Sequence, residues 1–200
     1  MLISTFTTRA MKNALPSHLS HQAALAVILH ESSPHYDGVQ RVRAAHDKAF
    51  QRWPPHINLL YPFLNAPSEQ LPMIAERVQR AVANVAPIDG GFASLSQFQH
   101  SARRATVFLA PDASTHDALV SLQAKLQAAF PECDHDKRAF APHLTLGQAE
   151  GGVAATAALR SAMETQLLPL PPWAIASIVV LERNGRDDPF RVVYEVPLRG

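Results

Sequence analysis

The chain has 200 residues, enough for one domain with a sizeable core and no need of metal or disulfide staples. Hydrophobic residues make up 47% of it and charged residues 18%, which excludes a disordered chain. A net charge of +1 argues against a non-specific nucleic-acid coat, and a single cysteine, Cys133, excludes an internal disulfide framework and a cysteine zinc cluster.

No apolar run approaches the ~18–20 residues that span a bilayer, so no membrane partner is expected. Residues 1–22 are expected to form a flexible N-terminal extension ahead of a single domain over residues 23–200. Arg9 and Lys12, several Ser and Thr, and no acid before Glu31 give the first 30 residues the look of a weak organelle-targeting leader. The expected location is cytoplasmic, or organellar if that segment is a transit peptide.

Residues 23–29 (AALAVIL) read as a buried strand. Residues 35–50 read as a helix, with Val39, Val42, Arg43 and His46 at helical spacing, broken by Pro54-Pro55. A strand over 57–61 follows, closed by Pro62. Ser68 is expected to cap a helix reaching about residue 85, with Glu69 and Glu76 toward its start and Arg77 and Arg80 toward its end. Asp89-Gly90-Gly91 reads as a turn, and residues 92–100 and 105–110 as strands paired around Arg103-Arg104.

The second half repeats this order. Thr115 is the expected N-cap of a helix over 116–130, with Leu119, Leu122 and Leu126 on one face. After a loop, residues 143–147 read as a strand, 153–167 as a helix, and 175–181 with 191–196 as a closing hairpin. Each half is thus helix, strand, helix, hairpin: a long internal duplication, with antiparallel hairpins that indicate an α+β class.

Two stretches carry chemistry: residues 54–63 (PPHINLLYPF) and 141–148 (APHLTLGQ). Strand side chains alternate faces, so His56 and Asn58 share one face and His143 and Thr145 another. Both pairs follow proline, both carry leucine at the fourth position, and the histidines lie 87 residues apart at matching places in the halves. A single such pair in an apolar strand is weak; the joint occurrence points to one shared site. Two imidazoles flanking one space can serve as general base and general acid near neutral pH. Short hydrogen-bonding groups beside them suit an anion, and a phosphodiester fits that symmetry. The scheme calls for no metal and no cofactor.

These residues resemble the paired signatures of the 2H phosphoesterase superfamily, and among its members the 2′-5′ RNA ligase-like and cyclic phosphodiesterase proteins. The likeness rests on residues 56–59 (HINL) and 140–146 (FAPHLTL), and the order of elements extends it over most of the chain. The resemblance implies a bilobal, duplicated α+β fold: two antiparallel sheets around a central cleft, helices on the outside. It implies metal-independent hydrolysis of 2′,3′-cyclic phosphates or RNA-end phosphodiesters, with a nucleotide or RNA end as partner. His56 and His143 carry over as the acid/base pair, with either order of roles, and Thr145 as a phosphate donor. Asn58 departs from the usual Thr or Ser, though its amide can still donate to a phosphate oxygen.

Around the motifs, Arg52 and Trp53 precede the first and Arg138 and Phe140 the second, as candidate substrate contacts at a cleft rim. Tyr61 and Phe63 are expected in the core. Residues 133–136 (CDHD) resemble a metal cluster but lack a partner pair, so no metal site is expected. The expected oligomeric state is a monomer. The competing expectation is a non-catalytic nucleotide- or RNA-end-binding module on the same fold.

Overall fold

The computed structural model describes residues 15–135 and 138–200. In chain order the strands are β1 (Leu19–Ser20), β2 (Ala23–Ile28), β3 (His56–Leu60), β4 (Phe63–Leu64), β5 (Ile88–Gly90), β6 (Ser94–Ser101), β7 (Arg104–Ala110), β8 (Leu144–Glu150), β9 (Trp173–Ile175), β10 (Ser177–Glu182) and β11 (Arg191–Pro197). The helices are α1 (Tyr36–His46), α2 (Leu71–Ala81), α3 (Ala113–Ala129) and α4 (Val153–Leu167). The class is α+β, and every strand pairing among the described residues is antiparallel.

Two sheets organise the molecule. One has the order β11-β10-β2-β3 and the other β6-β7-β8. The motif strands β3 and β8 are therefore edge strands, and they lie against each other where the sheets meet. Two short ribbons, β1 with β4 and β5 with β9, complete the pairing.

The duplication is interleaved. Each motif strand keeps the helix that follows it but takes its hairpin from the other half: β6-β7 pairs with β8, and β10-β11 joins β2 and β3. The preceding helices cross as well. Helix α1 packs with α4 on the β6-β7-β8 sheet, and α3 packs with α2 on the other. Exchanging the same elements in both directions gives each sheet two covering helices and one large shared core, with a second, smaller cluster at Ala24, Ala26, Val179, Leu181 and Phe190 packed against Trp53.

Both motif strands carry a β-bulge at the same residue. Ala26 opposes Asn58 and Leu25 opposes Leu60, leaving Leu59 as the extra residue. Phe108 opposes Thr145 and Val107 opposes Gly147, leaving Leu146. A bulge bends its strand and re-aims the side chains beside it. Leu59 and Leu146 are 3% and 0% exposed, so the shared leucine at the fourth motif position anchors each bulge in the core. Gly147 then lets the end of α1 approach: a Cβ there would stand 2.6 Å from His46 Cβ and 2.8 Å from the His46 carbonyl oxygen.

Several boundaries differ from expectation. Helix α1 stops at His46, well before the prolines, because Asp47 turns extended and its carboxylate accepts from the Ala49 amide. Ser68 lies inside a 3₁₀ turn, Pro67–Gln70, rather than capping α2. Asp112, not Thr115, caps α3, accepting from the Thr115 amide at 2.8 Å, while the buried Thr115 hydroxyl accepts from Gly91 N–H. Asp89 and Gly90, expected in a turn, lie instead in β5, which pairs with Trp173–Ile175. The expected N-terminal extension lies outside the described residues up to 14. Its remainder is not loose: Leu19 is 5% exposed and pairs with Leu64, which anchors the chain before Ala23.

Candidate functional site

The prolines before each histidine shape the site. Proline fixes its own φ and confines the preceding residue to extended backbone. In both motifs the carbonyl two residues before the histidine then meets the ring. His56 Nδ1–H donates to Pro54 O at 2.8 Å, and His143 Nδ1–H donates to Ala141 O at 2.7 Å. A carbonyl can only accept, so each neutral ring is the Nδ1–H tautomer with its lone pair on Nε2. Two rings, His56 at the start of β3 and His143 just before β8, thus carry their lone pair on the same nitrogen.

Aromatic groups hold both rings. Trp53 stacks on His56 with centroids 4.2 Å apart and planes 14° from parallel. Trp53 in turn packs on Phe190, centroids 3.7 Å apart, and meets Tyr61 edge-on at 5.5 Å. On the other side Phe98 stands edge-on to His143 at 4.8 Å, with Phe108 at 5.2 Å. Tyr61 is the exception to expectation. The bulge at Leu59 shifts the alternation, so Tyr61 is 37% exposed rather than in the core, while Phe63 is fully buried.

Burial is the main cause of the ring electrostatics. It pushes His56 down from 6.5 to about 4, with the Pro54 carbonyl opposing, the charges of Arg43 and His143 adding to the fall, and Asp47 opposing. Burial also lowers His143, against the Ala141 carbonyl. That His143 acts on His56 places the two rings in one field. A folded-state pKa below the unfolded value means stability that is complete above pH 6.5 and is lost as pH falls through about 4. Urea midpoints measured from pH 7 to pH 4 are expected to fall across that window, and less steeply in His56→Phe.

Beneath the rings lies a buried ion pair absent from the sequence expectations. Arg43 Nη2 donates to Asp47 Oδ2 at 2.8 Å, with both side chains 1% exposed. Arg43 also donates to Trp53 O at 3.0 Å and Gln40 Oε1 at 2.8 Å. Asp47 Oδ1 accepts from Gln148 Nε2 at 3.2 Å, and Gln148 Oε1 accepts from Lys48 N at 2.8 Å. The pair therefore ties the segment entering the first motif strand to the second motif strand. Arg43 at the Val39–Val42 spacing, with an acid four residues on, is the signal that could have marked it.

The remaining candidates divide. Asn58 sits at the His56 ring, its Nδ2 3.1 Å from Nε2. Thr145 is half-buried opposite Phe108 in β8. Trp53 is committed to His56 and Phe190. Arg52 reaches Asp187 at 3.8 Å. Phe140 is partly buried against the core, and Arg138 is exposed on the loop before it. Cys133 is buried, its thiol pushed up to about 12 chiefly by burial; Asp136 of the CDHD stretch lies outside the described residues.

A family model described as the 2′-5′ RNA ligase superfamily matches residues 30–187. BH1439 of Halalkalibacterium halodurans, a phosphoesterase by name, is 30% identical over 122 residues, 61% of this chain and 68% of that one. Apo LigT of E. coli superposes with a TM-score of 0.59 at 14% identity, over 92% of this chain and 100% of its own. LigT has also been crystallised with 3′-AMP. Usb1 of Kluyveromyces marxianus superposes with a TM-score of 0.53 at 12% identity, over 90% of this chain and 99% of its own. At such identities the superpositions speak for the fold alone, while the family match spans most of the chain, both motifs included. The chain belongs to the 2′-5′ RNA ligase superfamily of 2H phosphoesterases.

Proposed function

We propose that this protein is a phosphodiesterase that hydrolyses 2′,3′-cyclic phosphates or phosphodiesters at RNA ends, with His56 and His143 as its acid/base pair. The observation that carries the proposal is the matched tethering of the two rings. Each is held through Nδ1 by a backbone carbonyl, which leaves the lone pair on Nε2, His56 at the start of β3 and His143 just before β8. One Nε2 takes a proton from water as the water oxygen bonds to phosphorus. The bond from phosphorus to the leaving oxygen breaks, and the other Nε2–H protonates that oxygen. Thr145, on the His143 side of its strand, supplies a hydroxyl for a phosphate oxygen. No step in this scheme runs through a metal. The crystallisation of LigT with 3′-AMP supports a nucleotide as the ligand class.

Productive free protein needs one ring neutral and one charged. With His56 at about 4 and His143 lowered from 6.5, that population peaks between those two pH values. Below the window both rings are charged; above it both are neutral. Chelator-treated protein is expected to open 2′,3′-cyclic AMP with kcat/KM greatest in that window. Failure to turn over any 2′,3′-cyclic nucleotide or short RNA end there would overturn the proposal. One observation favours a second reading, a nucleotide-binding module without turnover: the Asn58 amide occupies His56 Nε2. Tight 3′-AMP binding with no hydrolysis would select it.

A further inference from the structure

Asn58 and Thr145 follow their histidines at matching positions, yet they treat them differently. Asn58 Nδ2 lies 3.1 Å from His56 Nε2. Among the described residues, His143 has a hydrogen bond only at Nδ1, to Ala141 O. The orientation of the Asn58 amide follows from the ring. Because His56 Nδ1–H is committed to Pro54 O, the neutral ring has only a lone pair at Nε2, and its partner there must be a donor. The amide NH₂ meets that need; its oxygen would set one lone pair against another. Turned this way, Asn58 Oδ1 is buried with no hydrogen-bond partner among the described residues. The contact with His56 is the bond that sets which way the amide faces.

We propose that Asn58 is a positioning residue: by donating to His56 Nε2 it holds that ring neutral in the free protein, which makes His56 the base and leaves His143 to carry the proton as acid. The role assignment rests on the phosphodiesterase proposal; the hydrogen bond does not. A bond made only to the neutral form opposes protonation at that nitrogen. Burial of the ring is the larger cause of its neutrality, and the Asn58 bond adds to it. Of the charged groups around His56, Arg43 of α1 and His143 just before β8 oppose a proton on the ring, while Asp47, with the Pro54 carbonyl, favours one. During reaction the O–H of the attacking water replaces the amide N–H on the same lone pair. His56 Nε2 then takes that proton as the oxygen bonds to phosphorus, and His143 Nε2–H protonates the oxygen that leaves. A hydroxyl residue at position 58 would leave the two rings closer to equivalent, so the asparagine gives the site a direction.

Long-range ¹H–¹⁵N spectra of the imidazoles, recorded on the full ligand-free chain across pH, test this. Wild-type His56 is expected as the Nδ1–H tautomer, titrating below His143. Asn58→Ala is expected to raise the His56 midpoint by up to about one pH unit, the worth of one hydrogen bond, with His143 nearly unmoved. Asn58→Asp, whose carboxylate accepts from Nε2–H, is expected to raise it further and above His143. A His56 midpoint unchanged in both variants, or a wild-type His56 titrating above His143, would overturn the proposal. These spectra need no turnover. A protein that shows them and hydrolyses no cyclic phosphate would refute the phosphodiesterase reading while leaving the Asn58–His56 bond intact.

Discussion

Alanine at His56 or at His143 is expected to lower turnover of a 2′,3′-cyclic phosphate by roughly 10²–10⁴-fold in either case, the usual contribution of one positioned acid or base. The two losses should not multiply. Once one proton transfer is missing, the remaining ring has no coupled partner, so the double variant should fall little below the worse single one. The two substitutions differ in their structural side effects, and that difference is the control. His143→Ala removes a ring held by Ala141 O and flanked by Phe98 and Phe108. His56→Ala removes the ring stacked on Trp53 and leaves both ends of the Asn58 amide without a partner among the described residues. His56→Ala should therefore melt lower than His143→Ala while losing activity to a similar degree. Retention of more than a tenth of wild-type kcat in either variant, at any pH between 4 and 6.5, would remove the two-histidine mechanism.

The parts of this site readable from sequence are those fixed by local chemistry. Proline before histidine, a short polar residue two further on and a leucine after it are chain-local. They mark His56 and His143 as a pair without any knowledge of the fold. Helix α4 was legible to the residue, since the spacing of its apolar positions and the glycines before it leave little choice. Non-local features were not legible. Alternation places Tyr61 in the core, and only the pairing of Ala26 with Asn58 and of Leu25 with Leu60 reveals the bulge that turns it out. The exchange of hairpins between halves leaves no trace in a pattern that reads the same whichever sheet each hairpin joins.

Asn58 and Trp53 show the same division. The sequence marks Asn58 as a departure from Thr or Ser and suggests a phosphate contact. The fold adds that its amide is engaged by His56. Trp53 before the motif suggests a surface for a substrate base. In the fold its ring is already engaged by His56 and Phe190, so it acts as a wall behind the histidine. Residues such as these change meaning with their neighbours, and the neighbours come from elsewhere in the chain.

Asp47→Ala is expected to be the most destabilising single substitution at the site, by about 3–5 kcal/mol, because it leaves the Arg43 guanidinium buried without its counter-charge. Arg43 and Asp47 are each 1% exposed at the side chain, so neither can recover hydration without opening the end of α1. For a chain of this size the loss corresponds to a fall in Tm of roughly 6–20 °C. Arg43→Met should cost less. It removes the charge that is hardest to bury alone and leaves Asp47 its bonds from Ala49 N and Gln148 Nε2. The double variant Arg43→Met/Asp47→Leu should recover much of the stability lost in Asp47→Ala, since well-packed apolar residues commonly replace a buried pair at little cost. Its activity should not recover with its stability. Arg43 also donates to the Trp53 carbonyl, and Asp47 binds Gln148 of β8, so the pair sets how the two histidine-bearing strands sit relative to each other. A double variant as stable and as active as wild type would limit the pair to a role in packing. Stability regained with kcat still depressed would show that the ion pair was kept for the alignment of the two rings.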